Sequence, residues 1–160
     1  MSDPNPRSTE AHLRRRLLAE FSVPSEPGNE RLAMSRVAEA IGELEVRGEN
    51  LERLKTAVAE ATMNAMEHGN KYRAEVPVEV MVLVEDQNLM VRITDRGSGP
   101  PPSRGGDAPD LEAKLEGMQT PRGWGMFLIA RMVDDVHVSG NPDHHTVELV
   151  LRLEVGKDGN

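Results

Sequence analysis

Glu60 and Asn64 stand one helical turn apart in the stretch EATMNAMEHGN, residues 60–70. Alanine, methionine and glutamate favour a helix, whereas asparagine inside one competes with the backbone for hydrogen bonds. A carboxylate and an amide placed side by side on a helix are therefore candidates for chemistry. A second candidate is DRGSG, Asp95 to Gly99, at the end of an apolar strand pattern. Leu89, Val91 and Ile93 alternate with Met90, Arg92 and Thr94, and the same period puts Asp95 on the apolar face. A carboxylate there is costly unless donors meet it. The third is RGWG, Arg122 to Gly125, which opens a helical pattern. Gly123 and Gly125 let backbone approach a ligand closely, and a helix start presents free N–H groups to an anion.

These groups need elements to hold them. Residues 17–23, LLAEFSV, read as a first strand, and Glu30 to Val46 as a helix with Leu32, Val37, Ile41 and Leu44 at helical spacing. Gly48 breaks that pattern. A second helix is expected from Asn50, as N-cap, to His68, with Gly69 at the C-cap. Its apolar stripe is Leu51, Leu54, Val58, Ala61 and Ala65. Glu60, Asn64, Glu67 and Lys71 form a separate line roughly 120° around the axis. VPVEVMVLVE and LMVRITD form a hairpin about Asp86-Gln87-Asn88. Residues 96–122 are rich in proline and glycine, with a short helical pattern at Leu111 to Leu115, and read as a lid. GWGMFLIARMVDD restarts a helix, and VHVSG with HTVELVLRLE closes the chain as a hairpin about Asn141-Pro142-Asp143. The order β-α-α-β-β-lid-α-β-β predicts an α+β two-layer sandwich, its mixed, mostly antiparallel sheet covered by helices on one face. One domain spans 17–154, between a mobile tail at 1–16 and a short tail at 155–160.

Composition bounds the function. The 160 residues are 38% hydrophobic and 29% charged, enough for one globular core, and the formal net charge of −8 argues against broad binding to nucleic acid or anionic membrane. Aromatic residues are only 2%, so the core is aliphatic, and Met63, Met66, Met81 and Met126 read as packing. The absence of cysteine suits a reducing cytoplasm. The N-terminal stretch lacks the apolar segment of a signal peptide, and no apolar run is long enough to span a membrane.

Each of the three motifs alone has an ordinary explanation: a solvated helix face, a turn, a glycine before a helix. In this order they describe a nucleotide pocket. The set resembles the GHKL (histidine kinase-like) ATPase superfamily, with EATMNAMEHGN as its N box and DRGSG and TPRGWGMFLI as its two glycine boxes. It is most similar to the anti-sigma-factor serine/threonine kinases of bacterial sporulation and stress response. The resemblance covers about residues 17–154. It implies ATP and Mg²⁺ as cofactors, Glu60 as the general base, Asn64 as the Mg²⁺ ligand and Asp95 as the acceptor of the adenine amino group. Gly97, Gly99, Gly123 and Gly125 would shape the pocket and its hinges, with Arg122 beside the phosphates. It further implies a small antagonist protein as substrate, a sigma factor as second partner, and a homodimer.

His68 reads as an imidazole suited to the negative end of its helix, while Asn70, Lys71 and Arg122 are candidates to reach phosphates that spacing alone does not place. Two departures stand out. Relatives carry a hydroxyl residue where this chain has Met63, and an arginine on the first helix at a position that falls near Met34, between Arg31 and Arg36. A regulatory adaptor that binds ATP without phosphotransfer is the alternative to a kinase.

Overall fold

The computed structural model describes residues 15–46, 48–97 and 122–153, with the side chains of residues 122–124 excepted. Residues 1–14 and 154–160, most of the lid, its short helix and Gly99 lie outside the described residues, whereas Arg15 and Arg16, expected in the N-terminal tail, open the first strand because they pair with Val84 and Glu85. Strand β1 (Arg15–Val23) leads into helix α1 (Asn29–Ala40) and a 3₁₀ turn (Gly42–Leu44). Helix α2 (Glu49–Asn64) follows and runs on through a π turn (Ala65–Gly69). The hairpin β2 (Val78–Glu85) and β3 (Asn88–Asp95) precedes helix α3 (Arg122–Met132) and a second hairpin, β4 (Asp135–Asn141) and β5 (His144–Arg152).

The sheet order is β1-β2-β3-β5-β4, and all four pairings are antiparallel. The parallel component expected of a mixed sheet is absent among the described strands: α3 carries the chain from β3 to β4, which run in the same direction, but β5 fills the slot between them and pairs antiparallel with both. Cross-strand rows build the covered face. Val80, Ile93 and Val147 form one row, and Val82, Val91 and Leu149 the next. They pack with Ala33 and Val37 of α1, Leu54, Val58 and Ala61 of α2, and Met126 and Ile129 of α3. Each fully buried aliphatic side chain contributes about 1.5–3 kcal/mol. The opposite face is polar in its middle, with Arg92 Nε on Glu148 Oε2 at 2.6 Å and Thr94 against Thr146 at 2.8 Å. This is the division expected of a sheet covered on one side.

Two expected helix ends move. The N-cap of α2 is Gly48, with φ 63°, and Asn50 lies inside the helix. Gly69 is not a left-handed cap either. The chain turns out of the helix at Lys71 and Tyr72, each with φ 55°, while the N–H of Asn70 reaches back to the Ala65 carbonyl at 2.8 Å in a π-type bond. Glycine at 69 has another cause. A Cβ there would collide with the carboxyl group of Asp95.

Candidate nucleotide site

Close glycine contacts stitch the three sequence motifs together. Gly69, at the end of the N box, lies flat against the Asp95 carboxyl, and a Cβ on Gly97 would meet the Gly69 carbonyl oxygen at 2.7 Å. Gly97 donates its N–H to Asp95 Oδ1 at 2.7 Å. On the other side of α2, a Cβ on Gly125 would stand 3.0 Å from Asn64 Nδ2. The first glycine box thus meets the end of the N box, and the second meets its middle.

Asp95 is only 6% exposed. Burial pushes its carboxyl above the usual range, and the Gly97 N–H and the neighbouring His145 and His144 pull it back. Both of its protein donors, Gly97 N–H and His145 Nδ1 at 3.1 Å, converge on Oδ1. Oδ2 accepts no hydrogen bond from any described residue. That atom is placed to take a donor from a ligand, as an adenine amino group would supply.

Glu60 and Asn64 lie on α2 as the period requires, both half-buried beside the core seam. Burial raises the Glu60 pKa, and the negative charge of Glu30 on α1 adds to the rise. A carboxylate shifted upward is a stronger proton acceptor once ionised than an ordinary one. The Asn64 amide makes no hydrogen bond to a described residue, so its oxygen is available. Among the described residues no group of three or more His, Cys, Asp or Glu side chains forms a metal cage. The open Asn64 amide oxygen is a donor of the kind Mg²⁺ takes, one or two protein oxygens with phosphates and water filling its octahedron. Helix α3 starts at Arg122, so Gly123 and Gly125 sit within its first turn and not ahead of it.

Sequence reasoning missed two groups. Asn70 is fully buried, and its side chain binds four residues in three separate segments. Its Nδ2 donates to Ser25 Oγ and to the carbonyls of Val76 and Pro77, and its Oδ1 accepts the N–H of Arg96. This residue, considered for phosphate contact, is committed to tying the N box to the strand end that carries Asp95. The other group is His145, whose position on the apolar row of β5, before Val147 and Leu149, was a readable signal. His68 is half-buried near Glu67, in the last turn as expected. Met66 and Met126 are core, whereas Met63 and Met81 are partly exposed.

A fold with helices on one face of an antiparallel sheet, and N–H donors, a buried carboxylate and an open amide at one end, defines an ATP-binding domain. The chain belongs to the family of the histidine kinase-like ATPase domain, whose model matches residues 23–151. It belongs more narrowly with the anti-sigma F factors. It is 30% identical to that of Bacillus subtilis (strain 168) over 145 residues, spanning 86% of this chain and 92% of that one. It is also 30% identical to that of Pasteuria penetrans over 153 residues, 91% and 95%. The fold matches the RsbU and RsbW domains of Rv1364c from Mycobacterium tuberculosis with a TM-score of 0.61 at 17% identity, covering 84% of this chain and 32% of that one. It matches the SiaB–SiaC complex structure from Pseudomonas aeruginosa with a TM-score of 0.58 at 14% identity, covering 91% and 95%.

Proposed function

We propose that this protein is a Mg-ATP-dependent serine/threonine protein kinase that phosphorylates a small antagonist protein in a partner-switching system and acts as an anti-sigma regulator. The observation that carries the reading is the pairing on α2 of a half-buried, upward-shifted Glu60 with an unengaged Asn64 amide, against which Gly125 packs. Kinship with the anti-sigma F factors over most of the chain supports the choice of protein partner.

In this reading Asp95 receives the adenine amino group through Oδ2, and Gly97 and Gly69 leave room for the ring. The Asn64 oxygen would hold Mg²⁺, which neutralises charge on the phosphates when bound. The first turn of α3, with Arg122, Gly123 and Gly125, offers backbone N–H groups to the phosphates, and residues 96–122, Gly99 among them, form the lid. Glu60 takes the proton of the incoming serine or threonine hydroxyl. That oxygen bonds to the γ-phosphorus as the bond to the bridging oxygen breaks, leaving ADP. Arg31 is the candidate for partner contact on α1, because Arg36 is already engaged over the Phe21 ring at 5.2 Å. A sigma factor is the second partner and a homodimer the assembly we assign, in the cytoplasm, where both nucleotide and sigma factors reside. No helix among the described residues is long and apolar enough to cross a membrane.

An adaptor that binds ATP without useful transfer is the second reading, and Met63 favours it. The hydroxyl of the preceding residue, Thr62 Oγ1, is buried without a hydrogen-bond partner among the described residues and cannot stand in for one at position 63. Incubation with labelled ATP and a panel of candidate antagonist domains, scored for acid-stable phosphoserine or phosphothreonine, separates the two. Transfer supports the kinase. ATP binding without transfer to any member supports the adaptor.

A further inference from the structure

His145 is 5% exposed, and its place in the sheet is specific. In the register it stands between Asp95 on β3 and Gly140 on β4. On one side its Nδ1 lies 3.1 Å from Asp95 Oδ1. On the other, a Cβ on Gly140 would stand 3.1 Å from the imidazole Cδ2 and 2.6 Å from the His144 carbonyl oxygen, so any larger residue at 140 would crowd the ring. Glycine in a strand interior weakens the strand and marks a close approach. Here the His144–His145 backbone approaches first, with the His145 Cα at 3.0 Å, and the edge of the imidazole next.

An ionised carboxylate only accepts hydrogen bonds, so the contact requires the proton on Nδ1. Gly97 N–H and His145 Nδ1 then both hold Oδ1, one along the chain and one across the sheet. Two donors on one oxygen fix the carboxylate against rotation and leave the other oxygen without a partner among the described residues. A buried polar network rigidifies only when its members are satisfied, and the one acceptor left open is the one a ligand would use.

We propose that His145 is a positioning residue for nucleobase recognition, holding the Asp95 carboxylate so that Oδ2 is presented to the 6-amino group of adenine. This rests on the reading that Asp95 receives that group. The imidazole need not touch the nucleotide. It acts through the orientation of the carboxylate, and its effect is therefore on selectivity for a 6-amino purine. The phosphates, which in that reading lie on the Asn64 side of the site, should be indifferent to it.

The test is calorimetric titration of the full chain with Mg-ATP and with Mg-ITP, whose 6-oxo group sets an acceptor against the carboxylate. Four variants are compared with wild type: His145→Leu, His145→Gln, His145→Asn and Asp95→Asn. Wild type should prefer ATP. His145→Leu should lose about tenfold in ATP affinity, the worth of one hydrogen bond to a charged group, with little change for ITP. His145→Asn, whose amide N–H sits near the Nδ1 position, should restore the preference. His145→Gln, which carries its amide one methylene further, should not, and it keeps the comparison available if the leucine variant does not fold. The inference is overturned if the leucine and glutamine variants keep the wild-type ATP-to-ITP ratio, or if they lose both nucleotides equally. Asp95→Asn separates the two levels. If it abolishes the preference while His145→Leu and His145→Gln keep it, the inference alone fails. If it leaves the preference intact, the assignment of Asp95 fails and takes the inference with it.

Discussion

The two ends of the nucleotide site are built differently. At the Asp95 end, the carboxylate is enclosed by Gly69 and Gly97, held on Oδ1 by two donors, and joined through Asn70 to the loops at Ser25 and Val76–Pro77. At the Asn64 end, the amide has no described hydrogen-bond partner, Glu60 is half-buried, and the contact with α3 is a van der Waals approach by Gly125. One end is preorganised and selects a shape. The other keeps polar atoms open for groups that arrive with the nucleotide. The difference suits a kinase, in which the base must be recognised in a fixed place while phosphates, metal and a hydroxyl from another protein assemble later.

The largest effect should come from the open end. Glu60→Ala is expected to lower phosphotransfer by about 10²–10⁴-fold, the usual worth of a general base, with ATP affinity retained. Single-turnover transfer at wild-type rate would remove Glu60 from that role.

Paired glycine substitutions address the contrast directly. Gly69→Ala drives a methyl group into the Asp95 carboxyl and should cost about 1–3 kcal/mol of stability. Gly125→Ala approaches a side-chain amide at 3.0 Å that can give way, and should cost less. Denaturant midpoints that reverse this order would show that the Asp95 end is not the stiffer one.

Asp95→Asn should weaken ATP by about 1–3 kcal/mol, because an amide can present a donor where an acceptor is needed. Its effect on the nucleotide-free protein has the opposite sign. A carboxyl whose folded pKa lies above the unfolded value supplies stability at low pH and loses it as pH rises through the folded pKa. Burial raises the Asp95 carboxyl above its ordinary value. Melting temperatures of variant and wild type should therefore converge in acid, and the variant should gain steadily as pH rises from the unfolded carboxylate value of about 4 through the folded pKa. A gap independent of pH would mean that burial does not penalise this charge.

Glu30→Gln should move the rising limb of the transfer-versus-pH profile to lower pH, since the Glu30 charge helps to raise Glu60. The amide keeps an oxygen for the Gly28 N–H that Glu30 Oε1 now accepts at 3.0 Å, so the start of α1 should survive. An unmoved limb would mean that another group sets the profile.

The smallest signal is optical. Trp124, the only tryptophan, stands between the two glycines in the first turn of α3. Its emission should shift with saturating Mg-ATP and shift less with Mg-ADP, because the γ-phosphate is the group that a lid and the helix start would clamp. Identical spectra in all three states would mark that end as rigid too.

Much of this was legible in the sequence. Element types followed from period: the alternation that ends at Asp95, the stripe on α2, and the two hairpins each appear where the pattern puts them. The misreadings share a cause. Asn50 and Gly69 were assigned to helix caps because those residue types favour caps locally, yet Gly48 took the first role and Lys71 and Tyr72 the second. Gly69 is glycine because Asp95, 26 positions away in the chain, occupies the space a side chain would need. Asn70 likewise looked like a phosphate contact until its partners at Ser25, Val76, Pro77 and Arg96 were known.

By itself the sequence determined which residues are candidates for the chemistry and on which kind of element each sits, because hydrophobic period and residue type are local properties. Only the tertiary structure decided how they meet: that Gly125 lies on Asn64, that Gly69 and Gly97 close around Asp95, and that His145 braces it from across the sheet. Those contacts depend on strand register and on β5 filling the slot between β3 and β4. Register is set by the whole buried face at once, and no window of neighbouring residues contains it.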